Sequence, residues 1–536
     1  MAIRRLLSLM LVADEAHPTG LPAYVVLLAT IFIAVAVVAL FRASFQQRRA
    51  TSSPTVAVVV LGDLGRSPRM QNHAWCLAQA GYRVHLVGYD DTPCHPRILS
   101  DAGIHITPIP APWVDRHRKK FPGALFLAFA AVKVVGQVWS LVRVVGWEVP
   151  GLKVIVQQNP PSIPSLPVLW AVSVVRGAAL VVDWHNYGYS LLALGMQTRG
   201  AVGRGLVRVS AAVERLFGGL ARASFCVSQA MQTDLSTRWS VRPPPIVLYD
   251  RPPDTFTPLP LSAKHDTLFR YLGQSLESSS PDADLQPGHH SAFADVLAEA
   301  SGDEVAWPAG VDRSVREVSV LTAVECADRG RGRGRVVWRE GRPALMVTST
   351  SWTADEDFGL LLEALVKYDD AAERWGSRLP PVVVLITGKG PLKASWLRSA
   401  SRHRFRGVHI RTVFAPAEDY PKLLGCADLG LCLHYSSSGL DLPMKAVDML
   451  GCGLPILAHG FPTLAELLHE GHNALFFDDA ASLATALTSV LEGFHDSPGG
   501  APRLCRLRQC AAERRPGSWA DEWNSKVKPL METLMA

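Results

Sequence analysis

The chain has 536 residues, of which 48% are hydrophobic and 19% are charged. This length is too great for one ordinary domain and favours two globular domains with some additional apolar surface. The net charge of +6 is modest and the basic residues are scattered. The composition therefore excludes a nucleic-acid-binding protein but is compatible with anionic lipid or phosphate partners.

Nine cysteines are dispersed along the chain, and no two of them form a C-x-x-C pair. An odd, dispersed set favours neither a disulfide framework nor a zinc site. We expect most of them to be buried thiols in a reducing compartment.

The N-terminal region, residues 1–50, is predicted to anchor the chain in a membrane. Residues 21–41 carry no charge and, at a rise of ~1.5 Å per residue, can cross a hydrocarbon core of ~30 Å as one transmembrane helix. Arginines dominate the flank after this stretch, whereas basic and acidic residues are mixed before it, which predicts a cytosolic body. A cleaved signal peptide is the alternative, but no convincing small-residue cleavage site follows.

Residues 51–261 show the alternation that is typical of a Rossmann-like domain. A β-branched run at residues 55–61 ends in a glycine turn, and helical periodicity follows over residues 67–80. Further apolar strands are predicted at residues 82–88, 154–157 and 179–183. Alternating strands and helices predict a parallel, doubly wound sheet.

An apolar segment at residues 124–147 is interrupted by Lys133 and Arg143, which makes it amphipathic. It fits either a core helix or a helix that lies in the membrane interface, and its length does not separate the two. The neighbouring membrane anchor favours the interfacial position.

Residues 262–342 are rich in Ser, Asp, Gly and Pro and show no sustained apolar period, so they predict a low-complexity insertion or linker. The alternating pattern then repeats over residues 343–510. Strands are predicted at residues 344–348, 382–387, 408–412 and 429–433, with a helix at 357–368. These residues predict a second Rossmann-like domain, followed by a C-terminal tail at residues 511–536.

A serine- and glycine-rich loop precedes a predicted helix in the second domain. The loop contains Ser436, Ser437, Ser438 and Gly439, and a P-x-K-x-x-D motif follows with Lys445 and Asp448. Backbone N–H groups, hydroxyls and the positive end of a helix dipole suit a diphosphate, while the Asp448 carboxylate can accept hydrogen bonds from ribose hydroxyls. The alternative is a polar loop that only caps the helix.

Gly388, Lys389 and Gly390 follow the strand predicted at residues 382–387. The glycines permit close approach of the backbone to a ligand and Lys389 supplies positive charge, so this loop is a candidate part of the same nucleotide site. An ordinary turn is the alternative.

The first domain carries candidate residues after its first predicted strand, namely Asp63, Gly65, Arg66 and Arg69. Ligands of α/β sheets lie at the carboxyl ends of strands, and the two arginines can grip a diphosphate there. Alternatively, Asp63 caps the next helix and the arginines are solvated. His73, one turn further along, is predicted to be a packed surface histidine.

Residues 183–190 end the fourth predicted strand with a polar and aromatic cluster. The ring faces of Trp184, Tyr187 and Tyr189 can stack against sugar rings, and His185 and Asn186 can form hydrogen bonds in the same place. A lone histidine is usually structural, but its position after a sheet strand favours a functional role.

Five separated segments resemble the chitobiosyldiphosphodolichol β-mannosyltransferases, which form glycosyltransferase family 33 with the GT-B fold. They are residues 62–70 (GDLGRSPRM), 158–161 (QNPP), 183–190 (DWHNYGYS), 349–353 with 355–358 (STSWT, DEDF) and 436–448. The resemblance implies an α/β fold with two Rossmann-like, doubly wound domains facing a cleft. It also implies inverting transfer of mannose from GDP-mannose to dolichyl-diphosphate-linked chitobiose, with a β1,4 linkage, at the cytosolic face of the endoplasmic reticulum membrane.

An inverting transfer needs a general base for the acceptor hydroxyl and positive charge for the leaving diphosphate. Asp63 and His185 are the candidate bases, and we expect acceptor contacts from Gly65, Arg66, Arg69, Trp184, Asn186 and Tyr187. Asp63 is favoured as the base because an aspartate is ionised at neutral pH. His185 would then orient the donor sugar or its phosphate.

Two positions depart from the broader GT-B relatives. The acid found eight residues before the helix acid is replaced by Leu440, and the nearest acid is Asp441. Residues 349–357 contain no base, which leaves Lys389 and Lys445 as candidate cations. No Asp-x-Asp motif follows a strand, so we expect no tightly bound metal, with free Mg²⁺ at most assisting.

Two alternatives remain open at this point. One is another GDP-mannose-dependent GT-B mannosyltransferase of the dolichol pathway that acts on a longer oligosaccharide. The other is a non-catalytic scaffold that recruits further mannosyltransferases of that pathway, which are candidate partners in either case. The five narrow motifs disfavour the first alternative, and the joint presence of Asp63, His185, Lys445 and Asp448 disfavours the second.

Overall fold

The computed structural model describes residues 54–110, 126–196, 200–273, 284–285, 304–306, 317–328, 333–353, 356–497 and 499–536. The transmembrane helix predicted at residues 21–41 lies outside these ranges. Contacts divide the chain into two compact units, Met1–Asp250 with Trp519–Ala536, and Arg251–Ser518.

The first unit is built on a seven-stranded parallel sheet with the order β3-β2-β1-β4-β5-β6-β7. Its strands are β1 (Thr55–Asp63), β2 (Arg83–Tyr89), β3 (Ile104–Pro108), β4 (Leu152–Asn159), β5 (Ala179–Trp184), β6 (Ala223–Cys226) and β7 (Ile246–Val247). The first seven residues of β1 are all buried, as expected for a parallel strand that is covered on both faces. The four strands predicted in this region are confirmed to within two residues at each end.

Helices connect these strands. They are α1 (Pro68–Gln79), α2 (Pro96–Leu99), α3 (Phe126–Leu141), α4 (Ser165–Arg176), α5 (Gly188–Met196), α6 (Gly200–Gly218) and α7 (Gln229–Thr237). Helix α1 begins at a proline, which is favoured in a first turn because the missing N–H has no partner there. Helix α3 continues as a π-helix over Val142–Glu148.

The second unit repeats the plan with a seven-stranded parallel sheet ordered β18-β17-β16-β13-β14-β15-β8. The described strands of the whole unit, including four that lie outside this sheet, are β8 (Asp284–Leu285), β9 (Glu304–Ala306), β10 (Glu317–Val318), β11 (Thr322–Asp328), β12 (Arg333–Trp338), β13 (Ala344–Ser349), β14 (Val382–Thr387), β15 (Val408–Val413), β16 (Leu429–Cys432), β17 (Ile456–His459) and β18 (Ala474–Phe477). Its helices are α8 (Leu261–Leu272), α9 (Phe358–Trp375), α10 (Lys393–Ala400), α11 (Tyr420–Cys426), α12 (Met444–Gly451), α13 (Ala480–Leu491) and α14 (Pro502–Glu513). The predicted second Rossmann-like domain is therefore confirmed.

Residues 262–342, expected to be a low-complexity insertion or linker, contain regular secondary structure in the part that the structure describes. Helix α8 packs into the core of the second unit through Leu268, Tyr271 and Leu272. Strands β10, β11, β12 and β9 form a four-stranded antiparallel sheet in that order. Strands β9 and β10 escape sequence reasoning because they are short, and β11 and β12 because charged residues such as Glu325 and Arg335 interrupt their apolar pattern.

The C-terminal residues belong to the first unit and are not a tail. They form α15 (Trp519–Lys526) and α16 (Lys528–Met535). Trp523 is completely buried, and its indole Nε1 donates a hydrogen bond to His73 Nδ1 at 3.1 Å. The first unit thus runs to Asp250, rather than to residue 261, and is completed by residues 519–536.

Candidate active site

The candidate residues of the first unit lie at the carboxyl edge of its parallel sheet. Asp63 ends β1, Asn159 ends β4, and His185 directly follows β5. Because β4 separates β1 from β5, the two candidate bases follow strands that are not direct neighbours. This edge is where open α/β sheets bind ligands.

A buried carboxylate, Asp183 on β5, organises this edge. The Arg69 guanidinium donates to both of its oxygens, at 2.7 Å from Nε and 2.8 Å from Nη2. His73 Nε2 and His185 Nε2 each lie 3.1 Å from Asp183 Oδ2. Burial alone raises the pKa of Asp183, but the Arg69 charge and the histidine contacts outweigh it and hold that pKa well below its usual range.

Arg69 is not available to grip an acceptor diphosphate, contrary to the sequence prediction. Its side chain is 4% exposed and also donates to Asp250 Oδ1 at 2.9 Å and to the Leu248 carbonyl at 2.8 Å. Burial lowers the pKa of Arg69, but Asp183 and Asp250 together raise it above its ordinary value. A guanidinium with two carboxylate partners is a structural group here.

His73 is packed, as predicted, but it is buried and not on the surface. Its side chain is 1% exposed and stacks on Phe225 with the ring centroids 5.5 Å apart. Burial lowers the pKa of His73, so the folded protein favours the neutral imidazole.

His185 is the member of this network that solvent reaches, since its side chain is 23% exposed while that of Asp183 is fully buried. The Asp183 contact uses Nε2 and leaves Nδ1 without a hydrogen bond from the described residues. The carboxylate therefore fixes the orientation of the His185 ring. A histidine oriented in this way is suited to accept a proton at its other nitrogen.

Asp63, in contrast, is held by local contacts. Its Oδ2 accepts from the Thr92 hydroxyl at 2.6 Å, and its Oδ1 accepts from the backbone N–H groups of Thr92 and Gly65 at 3.1 and 3.3 Å. Arg66 Nε lies 3.3 Å from Asp63 Oδ2, and the Arg66 side chain is 81% exposed. These contacts match the capping role that was the alternative for Asp63.

Gly65 has a packing role beside Asp63. A Cβ atom at this position would lie 2.4 Å from the Thr92 carbonyl oxygen, so the turn after β1 approaches the neighbouring loop more closely than any side chain permits. The glycine is explained without an acceptor contact.

The aromatic residues after β5 are mostly core residues, which corrects the prediction that their faces stack on sugars. Trp184 and Tyr187 are completely buried. Tyr187 stacks on Trp239 with centroids 4.6 Å apart, and its hydroxyl donates to Asp234 at 2.6 Å. Asn186 is half-buried, and its side-chain oxygen accepts from the Tyr187 N–H at 2.7 Å.

Glu214 on α6 shapes the same loop, and sequence reasoning misses it. Its buried carboxylate accepts from Asn159 Nδ2 at 2.6 Å and from the N–H groups of Gly188 and Tyr189 at 2.7 and 3.1 Å. Burial raises the pKa of Glu214, partly offset by these hydrogen bonds. The available signal was a single acid in an otherwise basic helix.

In the second unit, the loop with Gly388 and Gly390 packs against the turn after β13. A Cβ at either position would lie 1.8 Å from a carbonyl oxygen of that turn, Thr350 or Ser351 respectively, and Gly388 has a φ of 131° that favours glycine. Lys389 Nζ lies 3.7 Å from the centroid of the Phe414 ring. Close packing against this turn therefore explains the two glycines without a ligand, in keeping with the structural alternative for this motif.

Hydroxyl groups of the serine loop form hydrogen bonds with the carboxylate of Asp441, a few residues along the chain. The hydroxyls of Ser436 and Ser438 donate to Asp441 Oδ1, the latter at 3.3 Å, and His434 Nε2 lies 3.4 Å from Asp441 Oδ2. Burial raises the pKa of Asp441, but these hydrogen bonds outweigh it and lower that pKa.

Helix α12 begins at Met444 with Pro443 as its N-cap, so the serine loop precedes the helix, as predicted, without capping it. Ser437 is half-buried, and the Gly439 carbonyl accepts from the Thr463 hydroxyl at 2.6 Å. The hydroxyls of Ser436 and Ser438 shape the loop around Asp441, and the N-terminus of α12 lies further along the chain.

Lys445 lies in the first turn of α12 and forms an ion pair with Glu356, a contact that sequence reasoning misses. The Glu356 side chain is 1% exposed and that of Lys445 is 18% exposed, so the carboxylate holds the ammonium from the protein side. The Thr350 hydroxyl donates to the other oxygen of Glu356. No local sequence pattern reports this ion pair, because Lys445 and Glu356 are 89 positions apart.

Asp448 lies one turn further along α12 and is half-buried. The Tyr420 hydroxyl lies 3.5 Å from Asp448 Oδ2. Burial and the neighbouring Asp448 charge raise the pKa of Tyr420, which remains a hydroxyl donor. One face of α12 therefore carries the cation Lys445 and the hydrogen-bond acceptor Asp448 about one helical turn apart. This spacing suits the diphosphate and the ribose of a nucleotide.

The cysteines are free thiols, and most of them are buried. All nine cysteines are free thiols and six are buried, which confirms that part of the prediction. Within the described ranges, no group of three or more His, Cys, Asp or Glu side chains could hold a metal ion. The expectation of no tightly bound metal stays a prediction.

Comparison with known proteins finds a glycosyltransferase domain in each of the two units. Residues 65–249 match the Glycosyl transferase 4-like domain family, and residues 343–493 match Glycosyl transferases group 1. The chain is 39% identical to UDP-glycosyltransferase TURAN of Arabidopsis thaliana over 495 residues, which cover 89% of this chain and 97% of the relative. It is 38% identical to the chitobiosyldiphosphodolichol beta-mannosyltransferase of Homo sapiens over 484 residues, 90% of this chain and 94% of the relative.

A solved structure supports the fold. The crystal structure of Anabaena Alr3699/HepE in complex with UDP and glucose is similar with a TM-score of 0.51 at 13% identity, covering 90% of this chain and all of the other. The chain belongs to the chitobiosyldiphosphodolichol beta-mannosyltransferase family and is a glycosyltransferase of the GT-B fold class. The predicted fold class and family are confirmed.

Proposed function

We propose that the protein transfers mannose from GDP-mannose to dolichyl-diphosphate-linked chitobiose, with inversion to a β1,4 linkage. The observation that carries this proposal is the coverage of 94% of the human relative of that name at 38% identity. The proposal places the enzyme in the endoplasmic reticulum membrane with both units in the cytosol. The charge bias around residues 21–41 supports this orientation.

The donor is assigned to the second unit. Asp448 accepts hydrogen bonds from the ribose, and Lys445 with the N-terminus of α12 faces the diphosphate. The ion pair between Lys445 and the buried Glu356 supports this assignment, because it keeps the ammonium in place before the donor arrives. Lys389 is a second candidate cation, and free Mg²⁺ can add to the neutralisation without a resident site.

The general base is assigned to His185, in place of Asp63. The carboxylate oxygens of Asp63 accept hydrogen bonds from Thr92 and Gly65, whereas His185 is accessible to solvent and is oriented by Asp183.

The reaction follows from these roles. His185 Nδ1 removes the proton from the acceptor hydroxyl while the acceptor oxygen attacks C1 of the mannose on the face opposite the diphosphate. The C1–O bond to GDP breaks, its electron pair leaves with the β-phosphate, and Lys445 and the helix N-terminus offset the new charge. The proton on His185 is then released to solvent.

An acceptor assay with two donors tests the proposal. The full chain is incubated with phytanyl-diphosphate chitobiose and either GDP-mannose or UDP-glucose, with His185→Gln as the inactive control. We expect β1,4-mannosyl product from GDP-mannose alone. Because one relative is named a UDP-glycosyltransferase, product from UDP-glucose and none from GDP-mannose would contradict the donor assignment. Mannosylation of a longer lipid-linked oligosaccharide, but not of chitobiose, would favour the alternative mannosyltransferase.

A further inference from the structure

Helix α3 and the π-helix after it present large apolar side chains to solvent. Val132, Val135 and Trp139 are 60%, 65% and 65% exposed, and Trp147 is 38% exposed. Their spacing of three, four and eight residues forms one stripe along the helical segment. Within the described residues, the segment Phe129–Glu148 is also the one helix long and apolar enough to cross a membrane, by length and composition alone.

The helical segment exposes its charged residues Arg143 and Glu148, but it buries uncharged polar side chains while apolar ones face solvent. Its polar residues Gln137 and Ser140 are buried at 7% and 8% exposure, and Gln137 Nε2 donates to the Tyr89 hydroxyl at 2.8 Å. The apolar stripe therefore faces outwards although polar side chains were available for that face. Because the other face packs on the protein, the segment suits a position in the membrane interface and not a path across the bilayer.

Neighbouring helices extend the apolar surface. Helix α3 packs against α4, α4 against α6, and α6 against α5. Leu191 and Leu194 on α5 are 42% and 46% exposed, and Val202 on α6 is 57% exposed. Helix α5 begins three residues after His185, so its exposed leucines lie close to the edge of the sheet that carries the proposed base. Isolated exposed apolar residues are normal, but a set on adjacent helices marks an interaction surface.

The charge of this region is strongly one-sided. Residues 126–218 contain eight basic residues and three acids. Two of the acids, Asp183 and Glu214, are completely buried, and the third, Glu148, is paired with Arg143 at 2.7 Å. Arg204, Arg208 and Arg215 are exposed along α6. A surface that combines exposed apolar side chains, two tryptophans and the exposed arginines of α6 is complementary to anionic lipid head groups.

We propose that the face formed by α3, α5 and α6 lies on an anionic bilayer surface, with Trp139 and Trp147 at the head-group level and the arginines on lipid phosphates. This partner rests on the proposed function, because a lipid-linked acceptor brings His185 to the membrane. The contact is separate from the predicted anchor and orients the first unit on the bilayer.

Photolabelling tests this surface without requiring turnover. The full chain is reconstituted into phosphatidylcholine vesicles with or without phosphatidylserine, each containing a phospholipid with a diazirine in its acyl chain. We expect peptides from residues 126–148 and 188–205 to be labelled in the phosphatidylserine vesicles at least ~10-fold above peptides of α9, in keeping with interfacial insertion. Equal labelling without phosphatidylserine would overturn the anionic assignment.

Matched variants complete the test. Trp139→Glu places an acid on the stripe, and Trp375→Glu does so at an exposed tryptophan of the second unit that is 43% exposed. Trp139→Glu should remove most labelling of residues 126–148 and slow turnover of the lipid-linked acceptor. The turnover rate with a short soluble acceptor should stay the same. Trp375→Glu should change neither the labelling nor the turnover. Unchanged labelling in Trp139→Glu would overturn the proposal. Crosslinks between two chains at this face would overturn it in favour of a second copy. An inactive wild-type enzyme that is labelled as expected would refute the proposed function alone.

Discussion

The two units place polar residues at the same edge of similar parallel sheets, but they hold these residues differently. In the first unit, Arg69, His73 and Asp183 pair with one another and are at most 4% exposed. In the second unit, Lys445 and Asp448 remain half-buried, and the buried partner is the single carboxylate of Glu356.

Under the proposed function, this difference separates residues that support a site from residues that would contact a ligand. In the first unit, a buried, charged network orients the partly exposed His185. In the second unit, the cation Lys445 and the hydrogen-bond acceptor Asp448 lie at the surface of α12. A motif thus marks where chemistry takes place, while burial and pairing assign the roles.

The largest effect should follow from breaking the buried network. Asp183→Asn leaves Arg69 short of one of its two carboxylates, and loss of a buried ion-pair partner costs ~3–5 kcal/mol. Chemical denaturation should report that decrease in the free energy of unfolding. Asp91→Asn, at an exposed aspartate of the same unit, is the control and should stay within ~0.5 kcal/mol of wild type. A stable Asp183→Asn protein would show that the network does not hold the first unit together.

A smaller effect is expected at the half-buried acid of the second unit. Asp448→Asn removes a charged acceptor of ribose hydroxyls, and the loss of ~1.5–3 kcal/mol corresponds to a ~10- to 100-fold weaker affinity for GDP-mannose. Isothermal titration calorimetry measures this, and the acceptor KM should be unchanged. Equal donor affinity in variant and wild type would remove Asp448 from the donor site.

Glu356→Gln tests whether the buried carboxylate positions Lys445. The variant keeps the shape but loses the charge that holds the ammonium, so the donor KM should rise by ~10-fold, equivalent to ~1.4 kcal/mol, with kcat less affected. Glu363→Gln on α9 breaks an exposed pair with Lys367 and should leave donor KM unchanged. A tighter donor complex in Glu356→Gln would mean that the carboxylate competes with the diphosphate for Lys445.

The smallest effect is a pH dependence of stability that originates in the first unit. The folded pKa of His73 is lowered by burial, so below the unfolded value of ~6.5 the unfolded chain binds a proton that the folded chain refuses. The His73 contribution is complete above pH ~6.5 and is lost as the pH falls below it. Denaturation at several pH values should show that His73→Gln reduces this slope by up to ~1.4 kcal/mol per pH unit. An unchanged slope would assign the pH dependence to other histidines, such as His85, whose pKa burial lowers to about 4.

The strands of both sheets could be predicted because continuous apolar runs and glycine turns are local signals. β1 and β14, for example, match their predicted ranges within two residues. The pairings at the site could not be predicted, since they join residues far apart in sequence: Arg69 and Asp183 are 114 positions apart, and Lys445 and Glu356 are 89 apart. No periodicity reports such contacts. The sequence patterns located the carboxyl edges of both parallel sheets. They predicted ligand contacts for Arg69, Trp184 and Tyr187, which are instead buried, because burial depends on the tertiary fold.

The comparison of His185→Gln with Asp63→Asn tests the central claim most directly, because both residues lie at the carboxyl edge of the first unit and differ in how they are held. Initial rates with GDP-mannose and phytanyl-diphosphate chitobiose give kcat and KM for each variant, and calorimetry gives the donor affinity. We expect His185→Gln to lower kcat by ~10²–10⁴ with donor affinity intact, and Asp63→Asn to lower it by less than ~10-fold. If Asp63→Asn abolishes turnover while His185→Gln retains it, the base is Asp63 and the assignment to His185 is wrong.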